Sequence, residues 1–340
     1  MNIYKRVIFI SVVMLSISLL ASCGSDADSG GEKTYKIKAS HTTQEGSNMD
    51  DTYQKFKEVV EDKSDGQIEV EVYPSGQLAP SDEDTLKGIM SGSIEVGSVA
   101  TLVMSDITPE YKIFDFPYLF DLDSAEKFTE ESDIYEEMKK DFEEETGVYV
   151  MSNYALGPYA TINSENPIEK PSDFEGIKIR TPQASVVMDT FETLGASPTP
   201  VEYGEVFNAI QQGVVDGVMT TGELIYSDKF YENAKYFTDL EHNVSVHPFM
   251  INQEFLDELP KDLQETVLDS AEEATDFGWE NAQTEHDKVL DKFEEEGVEV
   301  TDLSSEQIEE FEEAVQPAID KNIDDVGEDF YEDVEKELEK

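Results

Sequence analysis

The chain is 340 residues long and carries 78 acidic against 24 basic residues, a formal net charge of −54. Such a surface repels the phosphates of nucleic acid and of anionic lipid headgroups, which excludes both as binding partners. Its single cysteine excludes a disulfide framework and a thiolate zinc site.

In chain order, Lys5 and Arg6 precede an apolar run from Val7 to Leu20. Leu20-Ala21-Ser22-Cys23 has the form of a lipobox, in which small residues precede a cysteine that is cleaved and lipidated. The run is shorter than the ~20 residues a spanning helix needs. Residues 1–22 are therefore expected to be a lipoprotein signal peptide, with Cys23 as the lipid anchor to the cell membrane. The protein then works outside the cytoplasm, at the cell surface or in the periplasm. Residues 23–33 are a flexible tether without core residues. Loss of Lys5 and Arg6 subtracts two positive charges from −54 and leaves −56. That charge suits salty water, where the Debye length drops to a few ångströms, or an alkaline habitat. With 38% of its residues apolar, the remaining chain buries two cores rather than one.

Tyr35 to Ala39 alternates as a first strand and ends near His41. Asn48 to Lys63 is an amphipathic helix through Tyr53, Phe56 and Val60. Ile68, Val70 and Val72 form a second strand, Ser81 to Met90 a second helix and Ile94 to Val99 a third strand. This β-α-β-α-β order predicts a parallel, doubly wound lobe. Phe114 to Phe120 is an aromatic loop, and one long acidic helix is predicted from Ser124 to about Glu145. Val148 to Tyr154 is another strand. Thr199-Pro200 marks a turn, Tyr203 to Gln212 a helix stopped by Gly213, and Val214 to Thr220 a strand. Val246 to Ile251 reads as a strand returning to the first lobe. A long helical region from Leu256 to about Glu296, a short strand at Val298 to Val300 and two or three acidic helices complete the chain.

Ile177-Lys178-Ile179-Arg180-Thr181-Pro182 carries the strongest functional signal. Ile177 and Ile179 alternate with Lys178 and Arg180 as a half-buried strand. Thr181 and Pro182 suit the cap and first position of a following helix through Val186, Val187, Met188 and Phe191. Arg180 is thereby placed at the carboxyl end of a strand, where open α/β sheets bind ligands. It is also the one arginine left once Arg6 is removed, against 22 lysines in the whole chain. A guanidinium there is a planar, bidentate receptor for a carboxylate.

Four stretches together resemble the solute-binding proteins of TRAP (tripartite ATP-independent periplasmic) transporters, the C4-dicarboxylate-binding type. They are Tyr73 to Leu78, Phe114 to Phe120, Pro171 to Pro182, and Gly204-Glu205-Val206 through Gln211-Gln212-Gly213 to Asp216-Gly217. The resemblance runs from about Tyr35 to the C-terminus. It implies an α/β, two-lobed periplasmic-binding-protein-like fold with a ligand cleft between lobes and a long helix spanning both. Lobe I is expected from 34–155 and 246–285, lobe II from 156–245 and 286–340. It further implies a non-enzymatic receptor, without cofactor or metal, that delivers a small organic acid to the small and large TRAP membrane permease subunits. The family's carboxylate-clamping arginine falls on Arg180.

The pattern departs from the family at two places. Tyr159 stands where many members carry a second arginine, and Thr220 stands at an asparagine position. Both changes lower the polarity of the pocket, so a monocarboxylate, a keto or hydroxy acid, or a zwitterionic compatible solute stands beside a C4-dicarboxylate. Tyr203, Tyr118 and Phe116 are candidate pocket walls, and His41 a candidate cleft residue at the end of the first strand. A similar receptor feeding a membrane sensor is the other binding-protein reading. An exported hydrolase using Glu205 or Glu223 has no second carboxylate spaced as an acid/base partner. The histidines His41, His242, His247 and His286 show no zinc spacing.

Overall fold

The computed structural model describes residues 33–338. The signal peptide, Cys23 and all but the last residue of the tether lie outside the described residues. From Tyr35 onward the chain forms one unit by its internal contacts.

The elements follow in chain order. β1 (Tyr35–Ser40) leads to α1 (Asn48–Lys63), β2 (Ile68–Tyr73), α2 (Asp82–Met90), β3 (Val96–Ser98) and the single turn α3 (Thr101–Met104). α4 (Leu122–Glu131) and α5 (Asp133–Thr146) precede β4 (Val148–Asn163). β5 (Lys178–Thr181), α6 (Ser185–Thr193), β6 (Ser197–Pro200), α7 (Val206–Gln211), β7 (Gly217–Thr221) and α8 (Gly222–Ser227) come next. β8 (Tyr236–Asp239), β9 (Val244–Asn252), α9 (Gln253–Glu258) and α10 (Lys261–Glu295) follow, then β10 (Glu299–Asp302), α11 (Ser305–Val326) and α12 (Glu328–Leu338).

The strands run in the order β2-β1-β3-β9-β4-β7-β5-β6, with β8 beside β4 and β10 beside β8. β1 is parallel to β2 and β3, as the opening β-α-β-α-β pattern predicts. β9 then lies antiparallel to both β3 and β4. The 16-residue β4 pairs with β9 from Val148 to Pro158, and with β7 from Tyr159 to Asn163. It is thus one strand serving two lobes. The strand expected over Val148 to Tyr154 runs on through Gly157-Pro158 to Asn163. Here Gly157 adopts φ +121°, and the β4/β9 register shifts between Ala155 and Pro158. A bulge of this kind carries the strand on while turning it.

The apolar residues cluster accordingly. Ile37, Val70, Val96, Phe56 and Phe249 sit in the core of the first lobe. In the second lobe, Ile162, Val218 and Phe237 belong to one core, and Ile179, Phe191 and Phe311 to another. The 35-residue α10 spans both lobes: Val267, Ala271 and Ala274 pack in the first core, Val289 and Phe293 in the second. Gly278 lies where it crosses α1 and β4. A Cβ there would stand 2.8 Å from Thr52 Oγ1 and 2.9 Å from Tyr154 Cβ, so only glycine admits α1 and β4 at this distance. Asn48 ties the crossing, its Nδ2 donating to Ala155 O at 2.8 Å and to Gly278 O at 3.0 Å.

Three expectations change. The single acidic helix is two, because Ser132 ends α4 and its hydroxyl caps α5 by accepting the Ile134 and Tyr135 N–H groups. Thr199-Pro200 is not a turn but part of the edge strand β6, where a proline costs no ladder bond. On α10 the cores change over between Ala282 and Val289, near the expected boundary, but the segment after 286 does not stay wholly with the second lobe. Tyr331 and Val334 of α12 pack in the first core, because their apolar stripe meets Phe116.

Candidate functional site

A cavity of about 490 Å³ opens between the lobes. Thr42, Asp82 and Ala100 line it from the first lobe, Arg180, Tyr203 and Thr220 from the second. Tyr159, Ser245 and His247 contribute from the β4–β9 ribbon that joins them.

Arg180 owes its position to β5, which lies between β7 and β6 and is buried on both faces, so Ile179 and Arg180 are both inside. The guanidinium is only 6% exposed. Its Nε donates to Val201 O at 2.8 Å, and the group lies over the Tyr203 ring, 5.7 Å from the centroid. Among the described residues no carboxylate lies within ion-pair distance of it. Burial lowers its pKa to about 10, which leaves it charged at neutral pH. A buried charge without a counter-charge is costly.

Around it stand neutral groups. Burial pushes the Tyr159 phenol up to about 12, so it stays a hydrogen-bond donor, and its backbone N–H is held by Asn243 O at 2.8 Å. Thr220 is buried in β7 opposite Ala160 of β4. The Tyr203 hydroxyl donates to Asp228, which fixes the ring under the guanidinium. His247, hydrogen-bonded to Ser245 at 3.2 Å, is held neutral by burial, with its pKa lowered to about 3.

The cavity therefore brings together Arg180, Tyr159, Thr220 and Tyr203. Three candidates lie elsewhere. His41 is fully buried, its Nε2 3.2 Å from Asp50 Oδ1 and its Nδ1 3.2 Å from Thr43 Oγ1. It pins the loop after β1 to the start of α1, while its neighbours Thr42 and Thr43 face the cavity. Phe116 is fully buried against Tyr331, ring centroids 5.0 Å apart, and is a core residue. Tyr118 also stands outside the cavity lining, its N–H bound by His242 O at 2.6 Å. The expected helix cap fails too. α6 begins at Ser185, so Pro182 and Gln183 form the cavity rim, and the Thr181 hydroxyl caps nothing.

Asp82, Glu202, Ser245 and His247 escaped the sequence reading. Asp82 follows the second strand at the start of a helix, the same topological position that singled out Arg180. His247 sits in a wholly buried strand, where no alternation marks a face. The one grouping of possible metal ligands among the described residues is Asp239, Glu241 and His286, away from the cavity. Its atoms are joined as an ion pair, His286 Nε2 to Asp239 Oδ2 at 2.9 Å.

The family model for DctP, described as bacterial extracellular solute-binding protein, family 7, matches residues 39–325. The ectoine-binding periplasmic protein TeaA of Halomonas elongata is 30% identical over 332 residues, 96% of this chain and 94% of TeaA. The C4-dicarboxylate-binding periplasmic protein DctP of Rhodobacter capsulatus is 27% identical, covering 86% of this chain and 87% of its own. Among solved structures, the sugar acid binding protein DctPAm from Advenella mimigardefordensis, in complex with galactonate, superposes with a TM-score of 0.86. Its identity is 26%, covering 91% of this chain and 99% of that one.

Proposed function

The chain belongs to the bacterial extracellular solute-binding protein family 7, and from that premise we propose that it captures a small carboxylate-containing solute through Arg180 and hands it to a TRAP membrane permease. The observation that carries this reading is the buried, unpaired guanidinium opening into the interlobe cavity. An Arg–carboxylate pair is bidentate and charge-assisted, and in a site drier than bulk water it is several-fold stronger than in solution. Tyr159 and Thr220 add neutral donors beside it, which orient the acid without demanding a second negative group. The relatives named above bind ectoine, C4-dicarboxylates and a sugar acid, and a carboxylate is what these ligands share. The relatives are binding proteins, and Glu205 stands at the cavity without Glu223, which lies outside its lining.

The small and large permease subunits are the partners this reading requires. Lipidation at Cys23 would keep the receptor close to them; incorporation of labelled palmitate, lost in Cys23→Ala, tests that part. The central experiment is a thermal-shift screen of organic acids at high salt, with Arg180→Ala in parallel. A ligand at ~100 times its dissociation constant adds about 2.7 kcal/mol of stability. The reading requires a shift that disappears in Arg180→Ala. An acid that binds both forms equally would remove Arg180 from the site.

A further inference from the structure

Arg180 is not the only ionisable group in the cavity without an ion-pair partner. Asp82, in the first turn of α2, lines the same space. Its Oδ2 accepts the Ala100 N–H at 3.0 Å, and its Oδ1 accepts the Thr42 hydroxyl at 3.1 Å. Two neutral donors thus hold the carboxylate at a fixed angle. Among the described residues no lysine, arginine or histidine lies within ion-pair distance of it. A carboxylate offers about four acceptor positions, so half of its capacity is unused.

The rest of the lining sharpens the asymmetry. Its other titratable acids are Glu83, Asp106, Glu202 and Glu205, and His247 is neutral. Arg180 is the one cation. A ligand carboxylate placed on Arg180 is satisfied, but a second one on the same molecule would meet only like charge. A neutral tail would cover Asp82 without giving it a counter-charge, and a buried unpaired carboxylate is costly.

We propose that Asp82 receives the cationic end of the ligand, an N–H-bearing ammonium or amidinium, while Arg180 holds its carboxylate, so that the solute is a compact zwitterion. This rests on the receptor reading above and narrows it. Thr42 and the Ala100 N–H are the positioning groups. They leave the remaining acceptor capacity of Asp82 unused. The class includes α-amino acids and cyclic amidinium carboxylates, and it excludes dicarboxylates.

The test is calorimetric titration of the purified protein in molar salt with defined probes. These are amino acid and hydroxy acid pairs on the same carbon skeleton, a cyclic amidinium carboxylate, and succinate. Wild type, Asp82→Asn and Arg180→Ala are compared, with melting temperatures recorded to establish folding. The expected result is that a zwitterion binds the wild type at least about tenfold better than its hydroxy acid partner or succinate. Asp82→Asn should erase most of that preference, since it keeps an acceptor oxygen but not the charge. Succinate or a hydroxy acid binding as well as every zwitterion overturns the proposal and leaves the carboxylate receptor standing. So does a zwitterion whose affinity ignores Asp82→Asn. Should that variant not fold, the paired ligands on wild type decide alone. If no carboxylate binds at all, both readings fall.

Discussion

The Arg180 guanidinium carbon stands over the Tyr203 ring, 5.7 Å from its centroid, and Asp228 holds that ring in place. The aromatic face supplies a weak negative surface in place of a carboxylate. It is worth about 0.5–2 kcal/mol, far less than a full counter-ion, so the charge is stabilised without being consumed.

It follows that Arg180 weakens the empty protein. Arg180→Met keeps the length and removes the buried charge. Chemical denaturation of the ligand-free variant is expected to show stability equal to wild type or up to about 2 kcal/mol higher. Binding of any ligand that uses Arg180 should at the same time weaken by about 2–5 kcal/mol, ~30-fold or more in Kd. A variant markedly less stable than wild type would mean that the guanidinium is a structural tie.

Gly278 makes the opposite prediction. In an open helix position, Gly→Ala gains about 1 kcal/mol of helix propensity. At this crossing the new methyl group meets Thr52 and Tyr154 below 3.0 Å. Overpacking of that kind costs about 1–3 kcal/mol, so Gly278→Ala should be net destabilising by urea denaturation. A stabilised variant would show that α10 moves away freely.

His286 ties α10 to the β8–β9 connection and sets a pH window. Burial opposes its charge, but the Asp239 and Glu241 carboxylates, 2.9 and 3.7 Å away, outweigh that and raise its pKa to about 9. The folded state holds this proton more tightly than the unfolded state, whose histidine titrates near 6.5. The stabilisation is therefore complete below about pH 6.5 and is lost as pH rises through 9. Melting curves between pH 6 and 10 should show that decline, and His286→Gln should flatten it. An unchanged slope in the variant would assign the decline to other groups.

Salt separates the surface from the site. A chain of charge −54 repels an approaching anion at low ionic strength, and added salt screens distant carboxylates more than a buried contact. Affinity measured by calorimetry should hold or rise from dilute buffer to molar salt while the fold is intact. A steep loss would place the ligand on exposed charges.

The residues differ in how far the sequence foretold them, and the difference is physical. Arg180 stood out because composition isolates it and a two-residue period ends beside it. β1, α1 and β2 were legible because their periodicity is local. β6 was not, since Pro198 and Pro200 are tolerated only once the strand is known to lie at an edge. The continuation of β4 past Gly157-Pro158 depends on its partner β9, almost a hundred residues away along the chain. Phe116 illustrates the converse. Its aromatic loop matched a motif, but which side chain meets the cavity and which meets Tyr331 is decided by α12, far along the chain. Asp82 is one acid among 78, and no count could isolate it.

β4 belongs to both halves of the molecule, pairing with β9 in one and with β7 in the other, so the strand is shared rather than joined. Neither half can be excised with a finished sheet, and neither can be grafted onto a relative without carrying half of the other along. Change of ligand in this architecture is therefore closed to exchange of whole modules. It must proceed by replacement of single side chains at the cavity wall, around an inherited frame.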